Sequence, residues 1–224
     1  RPVTAAVIDT ESLPADTPAD VAVGELLRRF PSVATVLIAR RGADPFSLFR
    51  LGRAGLSGLV LLPADALDDV AASLSDALRS GTEAIVARAV STYLPARETL
   101  TVRRALLGAQ HGWSSNALAG SLGLTRPHVS VRLRASGLPS LGHLLVWAKL
   151  LHAGRWLGDP GRTAESVSRQ LGYSSGAAFR RALRSYVDLT PSAVRGFGGL
   201  RPVLGSFLDA CGLPNTVQGD RSVA

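Results

Sequence analysis

The sequence predicts a small α/β domain with a parallel sheet, followed by an all-α domain in which a linker helix joins two helix-turn-helix units. Short apolar runs alternate with helical patterns near the start, and a helix, a glycine turn and a second helix occur twice later. Residues 1–90 hold 9 basic and 11 acidic residues, whereas residues 91–224 hold 25 − 9 = 16 basic and 17 − 11 = 6 acidic. We therefore expect only the second half to meet an anionic partner.

The N-terminal elements follow from apolar runs and helical patterns that succeed each other. Apolar runs predict strands at residues 3–8, 34–39 and 58–62. Apolar spacing predicts helices over 20–30 and 44–54, and a third that runs to about Leu78. Asp44-Pro45 places an N-cap carboxylate before a proline at the first helical position. Alternating strands and helices predict a parallel sheet with crossover helices.

The later elements are divided by prolines and glycines. Gly123 and Gly172 each stand between two helical patterns, where we expect a left-handed backbone. Ser114 or Ser115, Thr125, Thr163, and Ser174 or Ser175 are the N-cap candidates. The predicted helices cover residues 97–110, 116–122, 126–135 and 141–157, then run from the Thr163 cap to 171 and from the cap at 174 or 175 to about 187, with a last one at 201–211. The helix over 141–157 reads as amphipathic. The predicted domains are 1–91, a linker at 92–97, 98–196, and an extension at 197–224.

The first domain resembles the later half of a response-regulator receiver domain. Val7-Ile8-Asp9 and Pro14 match the strand that ends in the phospho-accepting aspartate, and 58–63 matches the last strand with its proline. The sequence departs from that family, because Ala39 and Leu62 replace the expected Ser/Thr and Lys and the strand with the acidic pair is absent. Phosphoryl transfer needs a cation and positioned donors. We therefore predict that Asp9 is a turn carboxylate and that this domain is a degenerate, receiver-like dimerisation module.

The second domain resembles the AraC/XylS family of transcription regulators over residues 98–195. Residues 172–195 follow the family signature without a gap, with Phe179, Arg181 and Arg184 at its Phe, Arg and Lys positions. Leu145, Lys149, Ala153, Trp156 and Leu157 of the linker helix also fall at family positions. The resemblance implies a double helix-turn-helix that binds one face of DNA.

Helical spacing distinguishes buried from exposed positions in the second helix of each predicted helix-turn-helix unit. Phe179 and Leu183 form an apolar stripe, and Arg181 falls off it. Val129 and Leu133 form the matching stripe of the first unit. Arg132 lies closer to the packed side. The candidate DNA-binding residues are Arg126, His128, Ser130, Arg134, Ser175, Arg180, Arg181 and Arg184.

Within this set, Arg181 is our candidate for reading bases, and Arg126, Arg134 and Arg184 are candidates for phosphate contacts. Val131 stands where many relatives carry arginine, and Gly176 and Ala177 replace longer polar residues. We therefore expect weaker direct readout, or readout through thymine methyl groups and DNA shape.

Several classes of protein are excluded on composition. Cys211 is the one cysteine, and the four histidines have no Cys or carboxylate at ligand spacing, so we expect no metal site and no cofactor. No apolar run reaches membrane-spanning length. No paired carboxylates or Ser/His/Asp set suggest an enzyme. A reducing, cytoplasmic setting fits the single cysteine.

The function predicted from the sequence is a DNA-binding transcription regulator whose two recognition helices, about 125–135 and 174–187, enter successive major grooves. The expected partners are double-stranded DNA and a second copy of the chain, bound through the N-terminal domain, with RNA polymerase as a further candidate. One alternative is a phosphorylation-controlled response regulator whose receiver half lies upstream of Arg1. The other is an adaptor that presents its basic domain to an acidic protein.

Overall fold

The computed structural model describes residues 3, 5–13, 18–40, 44–54, 56–62 and 67–215. The chain divides between Gly81 and Thr82 into two compact units. Each unit has buried apolar clusters of its own. Pro14 and Pro63, which contributed to the receiver resemblance, lie outside the described residues.

The N-terminal unit contains a parallel sheet whose described strands are ordered β1-β2-β3. Its elements are β1 (Ala5–Asp9), α1 (Ala19–Arg29), β2 (Ala34–Arg40), α2 (Pro45–Ala54), β3 (Gly58–Leu62) and the first part of α3 (Leu67–Ser91). Val36 of β2 lies opposite Val7 of β1 on one side and opposite Gly58 of β3 on the other. The predicted α/β architecture is confirmed.

Helices cover both faces of this sheet. On one face Leu37 packs with Leu27 of α1 and Leu51 of α2. On the other face Val36 belongs to a cluster against which Val70 of α3 packs. Adjacent strand residues point to opposite faces, so a central strand covered on both faces is apolar along its whole length. This explains the continuous apolar run that predicted β2.

Asp9 ends β1 and acts as a turn residue. Its carboxylate accepts a hydrogen bond from the Glu11 amide over 3.0 Å, which caps one turn of 3-10 helix at Thr10–Ser12. The Ser12 hydroxyl donates to the Asp9 carbonyl over 2.7 Å. The predicted turn role of Asp9 is confirmed.

Helix α3 is longer than the sequence predicted. We expected it to end near Leu78, but it continues to Ser91. Serine, glycine and threonine at 80–82 are weak helix formers, which is why the pattern indicated an earlier end. Val86 and Val90 are fully buried in the core of the C-terminal unit, so tertiary packing overrides the local preference.

The C-terminal unit is all-helical over its described residues. After the end of α3 it contains α4 (Ala96–Gln110), α5 (Ser115–Ser121), α6 (Arg126–Ala135), α7 (Leu141–Leu157), α8 (Ala164–Gln170), α9 (Gly176–Val187), α10 (Pro191–Gly196) and α11 (Leu200–Ala210). The predicted bounds of α6 and α7 are confirmed. Among the described residues, no helix combines the length and the apolar character that crossing a membrane requires.

Helix α7 is the central element of this unit. Leu144, Leu151 and Ala153, predicted for its apolar face, are buried, but so are Leu150 and His152 between them. Helices α4, α8, α9 and α11 all pack against it. The prediction of an amphipathic helix was therefore wrong, because a helix surrounded by others is buried on nearly every side.

Helix α11 belongs to the same core. Val203, Phe207 and Leu208, predicted to cover the domain, are buried. A Cβ added at Gly154 of α7 would lie 2.8 Å from Val203 Cγ2 and 3.1 Å from the Gly199 carbonyl oxygen. Only glycine at 154 allows the chain before α11 to approach α7 this closely.

His152 is a buried polar group at the centre of the unit. Its Nε2 lies 3.0 Å from the Leu106 carbonyl oxygen, and its Nδ1 lies 3.1 Å from the Thr82 hydroxyl. A neutral ring that donates from Nε2 satisfies both contacts. Burial, supported by the charge of Arg155, lowers the pKa of His152 to about 4.

We expect His152→Gln to flatten the acid dependence of stability. The pKa of His152 is about 4 in the folded chain and 6.5 when unperturbed, so between these values the unfolded chain binds the extra proton. The free energy of unfolding should therefore fall as pH falls from 6.5 towards 4, by up to about 1.4 kcal/mol per pH unit. Urea unfolding at pH 7 and pH 5 measures the slope. If the free energy of unfolding changed equally with pH in His152→Gln and in the unmodified chain, the result would contradict this role of His152.

Candidate nucleic-acid interface

The first helix-turn-helix unit consists of α5 and α6 with Gly123 between them. The Ser114 hydroxyl accepts from the Ala117 amide over 3.2 Å and begins α5. Gly123 has a φ of 66°, as its predicted left-handed geometry requires. Thr125 occupies the N-cap position of α6, although its hydroxyl makes no capping bond.

The second unit repeats this arrangement with α8 and α9. The Thr163 hydroxyl accepts from the Ser166 amide over 3.1 Å and begins α8. Gly172 has a φ of 67°. Ser175, of the two serines considered, is the N-cap of α9, and its hydroxyl accepts from the Ala178 amide over 3.1 Å.

The second helices of the two units, α6 and α9, are called the recognition helices below. They begin at Arg126 and Gly176, which are 176 − 126 = 50 residues apart. Both pack against α7. Helix α7 is therefore a common support that contributes to their separation.

Each recognition helix buries an apolar stripe and exposes basic side chains. Phe179 and Leu183 of α9 are fully buried, as predicted. The sequence-predicted residues Arg126, His128, Arg134, Ser175, Arg180, Arg181 and Arg184 are all exposed, whereas Ser130 is half-buried. The arrangement presents planar guanidinium groups outward from two equivalent helices, and such groups suit phosphate oxygens and guanine edges.

Arg184 is held at the end of its own helix. Its Nε lies 3.2 Å from Asp188 Oδ1, and its Nη1 donates to the Asp188 carbonyl over 3.2 Å. Asp188 ends α9 with a left-handed φ of 56°. Both side chains of this ion pair are exposed, so the pair is weak in water.

The Arg132 side chain is directed towards α4 and links α6 to that helix. Its Nε lies 3.5 Å from Oε1 of Glu98, whose side chain is 1% exposed, and its Nη2 donates to the Arg97 carbonyl over 3.3 Å. Arg97 Nε also donates to Glu98, over 3.2 Å. The prediction that Arg132 lies closer to the packed side is confirmed. Glu98 was not among the residues predicted from the sequence. The only feature that could have indicated it is that it is one of the few acidic residues in the basic second half of the chain.

A basic depression of about 300 Å³ lies beside the start of α8, lined in part by Arg162, Thr163 and Arg195. Arg195 Nε donates to the Leu157 carbonyl over 2.9 Å, and its Nη2 donates to the Arg162 carbonyl. Arg162 Nε pairs with Asp159 Oδ2 over 3.1 Å. Both guanidinium groups are thus engaged in holding the loop between α7 and α8. Within the described residues, no group of three or more His, Cys, Asp or Glu side chains could hold a metal ion.

Comparison with known proteins identifies the class of this domain. The sequence model of a family described as "Helix-turn-helix domain" matches residues 118–196, which include α6 to α9. Together with the two units described above, this match confirms the predicted helix-turn-helix architecture for this part of the chain and agrees with the resemblance to the AraC family. The match includes none of the N-terminal sheet, so the receiver resemblance stays a prediction.

The curated relatives include the HTH-type transcriptional regulator VirS of Mycobacterium tuberculosis, from strains CDC 1551 / Oshkosh and ATCC 25618 / H37Rv. Each is 32% identical to this chain over 115 residues, which are 49% of this chain and 33% of the relative. The matched region is therefore about a third of the length of these relatives. No solved structure matches the chain.

We expect Arg132→Ala to lower the free energy of unfolding by about 1–3 kcal/mol, because buried Glu98 loses one of its two cationic neighbours. The matched control is Arg134→Ala on the same helix, whose exposed side chain has no ion-pair partner among the described residues. That change should stay within about 0.5 kcal/mol. Urea unfolding measures both variants, and equal losses would show that the contact with Glu98 adds nothing.

Proposed function

We propose that this chain is a sequence-specific, DNA-binding transcription regulator that inserts α6 and α9 into successive major grooves. The observation that carries the proposal is the repeated presentation of exposed basic side chains by the second helix of a helix-turn-helix. The printed name of the VirS relatives, a transcriptional regulator, supports the same class.

The packing of α7 supports the two-groove geometry. Its 17 residues span about 25 Å at 1.5 Å per residue, and α6 and α9 both pack on it. Successive major grooves on one face of DNA are about 34 Å apart. An axis of this length is of the same order as that spacing.

Contacts to bases and contacts to phosphates are assigned to different side chains. Arg181 lies opposite the buried stripe of α9, where a bidentate contact to guanine is available in a groove. Arg126, Arg134 and Arg184 are assigned to phosphates, which position the protein without reading sequence. Arg180, His128, Ser130 and Ser175 complete the proposed surface, with the Ser175 hydroxyl also serving as the cap of α9.

We expect Arg181→Ala to weaken binding to the preferred sequence by more than threefold and to relax the base preference at one position. The physical reason is the loss of a bidentate base contact, which contributes about 1–3 kcal/mol. Fluorescence anisotropy on duplexes chosen from a random library measures both effects. A change below threefold would remove the base-reading role of Arg181.

Two controls separate charge from recognition. Arg134→Ala should weaken binding to preferred and random duplexes equally and reduce the salt slope by about one. Arg88→Ala, on α3 and outside both helix-turn-helix units, removes the same charge and should change the base preference at no position. If the unmodified chain bound every duplex equally well, the result would instead favour the alternative function, an adaptor that binds an acidic protein.

The N-terminal unit is proposed to join two copies of the chain. Phe46 and Phe49 of α2, three residues apart, are 69% and 62% exposed, which is costly for large apolar side chains in water. Contact with RNA polymerase and a cytoplasmic location are part of the same proposal. None of its steps requires a cofactor or catalysis.

We expect sedimentation to show a dimer that dissociates on Phe46→Ser/Phe49→Ser substitution, because that change removes the apolar contact area. Val131→Ser, which removes an exposed apolar side chain from the C-terminal unit, is the matched control and should leave the dimer intact. A monomer at high concentration of the unmodified chain would contradict a dimerisation role.

A further inference from the structure

The outward face of α6 has an apolar centre. Val129 and Leu133 are buried at 0% and 1% exposure, whereas Val131 is 65% exposed. Successive helical residues are about 100° apart, so Val131 lies opposite the buried stripe. Its side chain therefore faces away from the core.

Small apolar residues continue this centre in both directions. Pro127 and Ala135 lie four residues before and after Val131, and both are exposed. We call Pro127, Val131 and Ala135 the apolar strip of α6; its ends are eight positions apart along the helix, a rise of about 12 Å. His128 and Arg134 lie on its two sides and are also exposed. None of the three side chains of the strip can hydrogen-bond to a phosphate or a base.

The second recognition helix carries different chemistry at the same positions. The buried residues Val129 and Leu133 recur as Phe179 and Leu183, 179 − 129 = 50 positions later. By the same offset, Val131 of α6 corresponds to Arg181 of α9. The two helices therefore have the same orientation on the core but present an alkyl group in one unit and a guanidinium in the other.

The major groove displays one apolar group to such a side chain, the C5-methyl group of thymine. A single exposed valine on a protein surface needs no explanation, since much of any surface is apolar. The position of Val131 distinguishes it from other exposed apolar residues. It lies in the middle of the helix face that the proposed function places against the bases. The flanking Arg134 and Arg126 provide the phosphate contacts that would bring it there.

We infer that Val131 is a specificity-determining residue that packs against thymine methyl groups, so that α6 recognises a thymine-containing half-site while α9 recognises guanine through Arg181. The inference rests on the proposed function and deepens it. The two halves of the DNA site are then recognised by different chemistry. One half is recognised through thymine methyl groups and the other through hydrogen bonds to guanine.

The test uses the full chain and removes single methyl groups from the DNA. The preferred duplex is first selected from a random library, and each thymine in it is then replaced by deoxyuridine, which lacks only the 5-methyl group. We expect one or two replacements to weaken binding by about fourfold each, the effect of one buried methyl group. In Val131→Ala, which shortens an exposed helical side chain without disturbing the core, these replacements should change affinity by less than about 1.5-fold, because the contact with the methyl group is already lost.

Arg181→Ala is the matched control, because it alters the corresponding position of α9 and should keep the full sensitivity to deoxyuridine. Sequence-selective binding that responds to no deoxyuridine replacement, or a Val131→Ala variant that responds as strongly as the unmodified protein, would overturn the inference and leave the proposed function standing. Failure to select any preferred duplex would overturn both.

Discussion

The burial of α7 is the constraint on which the rest of the C-terminal unit depends. An α-helix that is apolar on all sides is stable in water only when other helices surround it. Leu150 and Leu157 have no exposed surface, and α4, α8, α9 and α11 provide the cover. Because the helix-turn-helix units complete this cover, the positions of the recognition helices are a consequence of core packing rather than of the loops that join them.

Side-chain contacts beyond the core then fix each recognition helix separately. On α9, Tyr186 meets the edge of Trp147 on α7 at 5.2 Å between ring centroids, and its hydroxyl bonds to the ring of His143. On α6, Arg132 reaches Glu98 of α4. The proposed base contacts would require helices held in this way, because bidentate hydrogen bonds tolerate little misplacement. The residues that orient the helices are thus distinct from those that face outward.

The sequence predicted the features that depend on local chemistry. Ser114 and Thr163 as caps, Gly123 and Gly172 as left-handed turns, and the bounds of α7 all follow from neighbouring residues. What it could not predict depends on distant partners. The continuation of α3 past Gly81 needs the core around Val86, and the burial of Glu98 needs Arg132, 34 positions later (132 − 98).

The two recognition helices also show where this fold leaves sequence free to change. Their inward positions are apolar in both units, because each must fill the same kind of space against α7, and a mismatch there costs packing energy. Their outward positions carry no such requirement, and Val131 and Arg181 differ completely. Several arginines of the basic half, including Arg132, Arg162 and Arg195, are engaged in internal bonds. The charge of the domain therefore overstates its capacity for phosphates, and the proposed recognition would depend on the few outward side chains that packing leaves unconstrained.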